Sequence, residues 1–107
     1  MRTILGATLL ALATAAQAQG EVKGDAERAK TKISHCIGCH GIPDYRTAYP
    51  EVYRVPMIAG QNPQYLLKAL EEYKSGARNH PSMRAIVRSL SDQDMADVAV
   101  YYGTAAK

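Results

Sequence analysis

The chain has 107 residues, with 13 lysines and arginines against 10 aspartates and glutamates, a formal net charge of +3 at neutral pH, two cysteines, and neither tryptophan nor phenylalanine. Its basic residues are scattered among acids rather than clustered, which excludes the basic patch of a nucleic-acid-binding protein. A domain this small buries a limited core, and a bridge between two cysteines so close in sequence would restrain little of the unfolded chain, so something other than a disulfide is expected to fill the interior.

The first residues, MRTILGATLLALATAAQAQG, carry one positive charge at Arg2 and then small and apolar side chains as far as Ala16. Ala16-Gln17-Ala18 is the small-x-small pattern of a signal-peptidase site. The apolar run is too short, and too rich in Ala and Thr, for a membrane span. The expectation is export to the periplasm with residues 1–18 removed as a signal peptide. That leaves one domain, residues 19–107, with no transmembrane segment and a formal charge of +2. An uncleaved N-terminal anchor is the alternative.

The segment GDAERAKTKISHC, residues 24–36, reads as a helix capped at Asp25, with Ala26, Ala29, Ile33 and Ile37 at helical spacing. Residues 42–61 contain three prolines and no sustained period. They predict an irregular loop, with a helical turn able to start at Pro50. Loops of that length are uncommon unless they wrap something. Asn62-Pro63 opens the clearest helix, whose Tyr65, Leu66, Ala69, Leu70 and Tyr73 form one stripe and which Gly76 should end. After the polar stretch ARNHPS, a short helix is expected over MRAIVRSL, residues 83–90. Ser91 and Asp94 form a weak capping box, with Leu90 and Met95 as its staple. The last helix carries Met95, Val98, Ala99 and Tyr102 on one face and is expected to stop at Gly103. Nothing reads as a strand, so the predicted fold is all-α with covering loops.

The chemistry sits in HCIGCHG, residues 35–41, which holds both cysteines and two of the three histidines. A redox dithiol of the C-x-x-C type belongs among strands, which this sequence lacks. A zinc site built from Cys36, Cys39, His40 and His80 has unusual histidine spacing, and exported dithiols tend to oxidise. C-x-x-C-H is also the attachment signature of c-type haem. On a helical turn, positions i, i+3 and i+4 share one face, so Cys36 and Cys39 can bond the two vinyl groups while His40 addresses the iron.

With these motifs the chain resembles a class I cytochrome c, in particular the small bacterial periplasmic type and single halves of its tandem di-haem relatives. The likeness spans residues 24–103 and rests on CIGCHG, on PMIAGQNPQYLLKALEEYKSGAR, on a following methionine and on LSDQDMADVAVYY. The tyrosine-rich stretch between His40 and Pro56 matches no family element. The resemblance implies the cytochrome c fold, with three main helices and shorter pieces around one covalently attached haem. It implies a hydrogen bond from the second ring nitrogen of His40 to the Pro56 carbonyl, which would fix the ring.

The resemblance also implies iron ligation by His40 on the proximal side and Met83 on the distal side. Of the other candidates, Met95 falls on a helix stripe that suits a core role, Met57 follows Pro56 and so belongs on the His40 side, and His80 competes with Met83 from the same loop. Tyr45, Tyr49, Arg46 and Arg54 are candidate donors to the haem propionates. His35 is expected to point away from the face of His40. The implied function is a monomeric electron carrier, not an enzyme, that serves redox partners such as dehydrogenases, cytochrome complexes or terminal oxidases. The alternatives are a haem c subunit of a larger oxidoreductase, a gas sensor or a zinc module.

Overall fold

The computed structural model describes residues 21–48 and 52–105; the expected leader and the turn expected at Pro50 lie outside the described residues. Five helices follow one another: α1 Ala26–Ala29, α2 Ser34–His40, α3 Pro63–Ser75, α4 Pro81–Val87 and α5 Asp92–Thr104. Among the described residues there is no strand, only one isolated antiparallel bridge between Arg46 and Arg54. The fold is all-α.

Asp25 caps α1, its carboxylate accepting the amides of Glu27 at 2.9 Å and Arg28 at 3.2 Å. The single helix expected over residues 24–36 is broken after that first turn. The amides of Lys30, Thr31 and Lys32 reach back only three residues, to Glu27, Arg28 and Ala29. The Thr31 hydroxyl also donates to the Arg28 carbonyl, at 2.9 Å. These bonds tighten the chain into a turn, and α2 restarts in a new register. Ala29 and Ile33 remain in the core, whereas Ile37, predicted on the same stripe, is 52% exposed.

α3 begins as its sequence predicts, with the Asn62 side chain accepting the amides of Gln64 and Tyr65, and ends at Gly76, which adopts φ 89°. α4 starts at Pro81 rather than Met83, because His80 serves as its cap and Pro81 fits the first helical position. The capping box of α5 is complete: the Ser91 hydroxyl accepts the Asp94 amide and the Asp94 carboxylate accepts the Ser91 amide, both at 3.0 Å. Leu90 and Met95 are buried together with Val87, as a staple requires. α5 does not stop at Gly103 but continues to Thr104. A Cβ at Gly103 would lie 2.3 Å from Cγ of Pro63, so the glycine permits close approach of α3 instead of ending the helix.

α5 packs against both α1 and α3, and α4 packs against α3. One core cluster joins Ala29, Ile33, Leu66, Val98, Ala99 and Tyr102. Within this apolar contact lies one buried carboxylate. Asp97, only 1% exposed, accepts from Arg28 Nε at 2.6 Å, Arg28 Nη2 at 2.9 Å, the Asp25 amide at 2.8 Å and Gln93 Nε2 at 2.8 Å. Gly24 closes the same junction, since a Cβ there would lie 2.2 Å from the Ala96 carbonyl oxygen.

The Arg28 hydrogen bonds hold the Asp97 carboxyl well below the usual carboxylate range, against the opposing effect of burial. A depressed folded-state pKa adds stability that is complete above the unfolded value of about 3.9 and is lost as pH falls through the folded value. Asp97→Asn should therefore cost about 2–3 kcal/mol at neutral pH, or roughly 10–20 °C in melting temperature. The gap between variant and wild type should narrow on acidification. Thermal melts from pH 7 to pH 2 test this; a variant melting within a degree or two of wild type at pH 7 would remove the clamp's role.

Candidate functional site

Four of the five helices, with Thr47, residues 53–56 and Ile58 of the loop between α2 and α3, surround a largely apolar cavity of about 300 Å³. From α3 it is lined by Tyr65, Leu66, Ala69, Leu70 and Tyr73, the same stripe that the helical period singled out. α5 contributes Val98 and Tyr102, and α4 contributes Ser82, Met83 and Ile86. Cys36, Cys39 and His40 of α2 complete the lining. The cavity therefore gathers all four predicted site residues: Cys36, Cys39, His40 and Met83.

α2 places the two thiols and the imidazole on one side through its i, i+3, i+4 spacing. His40 Nδ1 lies 2.7 Å from the Pro56 carbonyl oxygen. A carbonyl only accepts, so Nδ1 carries the proton and Nε2 keeps the lone pair that a metal needs. Cys36 is partly buried against the main core cluster, and burial pushes its thiol pKa up. A thiol whose ionised form is disfavoured is the poorer nucleophile.

Met95 is 1% exposed in the second core cluster, and Met57 is 52% exposed beside Pro56. Neither borders the cavity, whereas Met83 and His80 both do. His35 is exposed, as a surface residue pointing away from His40 would be, but it borders the cavity as well. The four side chains considered for zinc line a shared cavity but do not converge. Among the described residues no three His, Cys, Asp or Glu side chains gather as a metal site.

The tyrosine-rich loop has more order than its prolines suggest. The Thr47 amide donates to the Tyr53 carbonyl and the Val55 amide to the Tyr45 carbonyl, both at 2.9 Å. The Tyr53 amide donates to the Thr47 hydroxyl at 3.1 Å. This hairpin-like pairing brings Thr47, Tyr53, Arg54, Val55 and Pro56 to the cavity wall. Of the proposed propionate donors, Arg54 reaches the cavity, Tyr45 and Arg46 do not line it, and Tyr49 lies outside the described residues.

Arg78 was not anticipated. It lines the cavity, donates to Glu72 at 2.7 Å and to the Tyr65 hydroxyl at 3.5 Å, and stands 5.7 Å from the ring centroids of both Tyr65 and Tyr73. Its position just past the Gly76 stop was the one available signal, because the chain after such a stop folds back over the helix it leaves. Tyr102 was expected only as a packing residue. Its side chain lines the cavity, and its buried hydroxyl has no hydrogen-bond partner among the described residues. Burial, with a smaller effect from Cys36, pushes its pKa up to about 12.

These residues fit a haem. Two thiols and an imidazole with a free lone pair stand on one helix, a soft thioether borders the same cavity, and the walls are apolar with cations at Arg54 and Arg78. That is the arrangement of a c-type haem protein. The family model described as Cytochrome c matches residues 26–105. The chain belongs to the cytochrome c family, whose members carry covalently bound haem c.

The cytochrome c4 of Pseudomonas aeruginosa is 38% identical over 81 residues, covering 76% of this chain and 38% of that protein. The cytochrome c-554(548) of Halomonas halodenitrificans is 36% identical over 84 residues, covering 76% of this chain and 96% of that protein. A thiosulfate dehydrogenase electron acceptor of Stutzerimonas stutzeri is 38% identical over 64 residues, covering 60% and 28% respectively. The chain spans about half or less of the cytochromes c4 that it matches.

Proposed function

We propose that the chain is an electron carrier with one haem c, bound through Cys36 and Cys39 and ligated by His40 and Met83. The observation that carries this reading is the cavity that these four side chains share, with His40 Nδ1 engaged by Pro56. When bound, haem c supplies an iron that alternates between the ferric and ferrous states. The remaining work belongs to the protein. Cys36 and Cys39 anchor the group, so it is not lost by dissociation. The Pro56 carbonyl fixes the His40 ring and raises its basicity as a ligand. Leu66, Leu70, Ile86 and Val98 keep water from the cavity, and Arg54 and Arg78 offer charge to carboxylates at its border.

The role is transfer rather than catalysis: with His40 and Met83 both holding it, the iron would keep no open position for a substrate. Partners would be redox proteins of the dehydrogenase type, in line with the relative named for thiosulfate dehydrogenase, met through a small transient interface. The N-terminal segment supports export to the periplasm. No helix among the described residues is long and apolar enough to cross a membrane. The exposed apolar side chains Ile37, Ile42 and Met57 near the His40 helix favour, as a second reading, a haem subunit held within a larger complex.

Absorption spectra of the purified protein test the proposal. They should show reversible oxidation and reduction of one haem per chain, with carbon monoxide leaving the reduced spectrum nearly unchanged. Rapid stoichiometric uptake of carbon monoxide would point to a sensor or an enzyme instead.

A further inference from the structure

His80 stands at the cavity as a rival to Met83, but its ring is already committed. Nδ1 accepts the backbone amide of Met83 at 3.4 Å. A nitrogen that accepts has no proton, so in the neutral ring the proton sits on Nε2. In that tautomer neither nitrogen has a lone pair left for a metal. Two rings from different parts of the chain also hold it. Tyr53 of the hairpin-like loop lies 4.1 Å away between centroids, tilted by 45°, and Tyr73 at the end of α3 lies edge-on at 6.4 Å. The backbone agrees: His80 is extended, at φ −119° and ψ 110°, as the residue before Pro81 should be, and it serves as the cap of α4.

We infer that His80 is a positioning residue for Met83. It holds the first turn of α4 through the amide of Met83 itself, and its ring ties that turn to Tyr53 of the hairpin-like pairing. Met83 thereby keeps its place on the cavity wall while His80 is kept from replacing it. This inference rests on the proposed ligation by Met83.

The test uses the haem-loaded protein and three readouts. These are the weak red absorption band of ferric methionine-ligated haem, the rate of carbon monoxide uptake after reduction, and the reduction potential. His80→Ala should weaken the red band and speed carbon monoxide uptake about five- to tenfold, the scale expected for loss of one cap. His80→Asn, which returns an acceptor to the cap position without the ring, should restore uptake to within about twofold of wild type. Unchanged band, uptake and potential in His80→Ala would overturn the inference while leaving ligation by Met83 intact. An asparagine variant as leaky as the alanine variant would also overturn it. A wild-type protein without the red band, with a low potential that rises when His80 is removed, would make His80 the ligand and overturn both readings.

Discussion

Changing Cys36 and Cys39 together to serine should leave no haem-bearing protein to purify, and the chain that remains should have lost most of its helical circular dichroism. The reason lies in how little the protein buries by itself. Among the described residues nine apolar side chains are buried, and the largest fully buried side chains are Met95, Val87 and the charged Asp97. The face that α3 turns inward, from Tyr65 to Tyr73, packs only in part against α4 and α5, and the rest of it borders the cavity. Without an occupant the part facing the cavity has no partner, so folding is expected to depend on binding. Wild-type protein should keep its haem on a denaturing gel and show no free thiol. Haem that acid acetone extracts from the wild type would refute covalent attachment, whatever the variant does.

Met83→Ala should abolish the red band of the ferric protein and let carbon monoxide bind rapidly after reduction, while Met57→Ala should change neither. The thioether is a soft, neutral ligand that favours ferrous iron, so the variant's potential should also fall if an imidazole or water takes its place. Position separates the two methionines. Met83 lines the cavity from α4, whereas Met57 is half exposed beside the proline that bonds His40. Loss of the band in Met57→Ala, with Met83→Ala unaffected, would move the ligand to Met57.

Much of this site can be read from the letters because its chemistry is local. Cys36, Cys39 and His40 are fixed by a single helical turn, and the α3 stripe by its period. The staple of Leu90 and Met95 follows from a cap three residues wide. Signals failed where a contact outside the hydrophobic period decides. Gly103 reads as a helix stop, yet it is glycine because Pro63, forty residues away in sequence, presses on it. The break after Ala29 depends on the Thr31 hydroxyl competing for the Arg28 carbonyl, which a hydrophobic pattern does not register. The pairing of Thr47 with Tyr53 lacks the alternation of a strand, and Arg78 acquires its place only when Glu72, Tyr65 and Tyr73 converge on it.

The Asp97 junction joins residues 69 and 72 positions apart in the chain, which clasps the N-terminal segment onto the last helix. Synthesis runs from the N-terminus, so both thiols exist before the clasp does. Once α5 arrives, the Cys36 sulfur is partly buried against the core and harder to ionise. The junction between the chain's two ends therefore also sets the surroundings of Cys36, which packs against the core cluster that α1 and α5 build together.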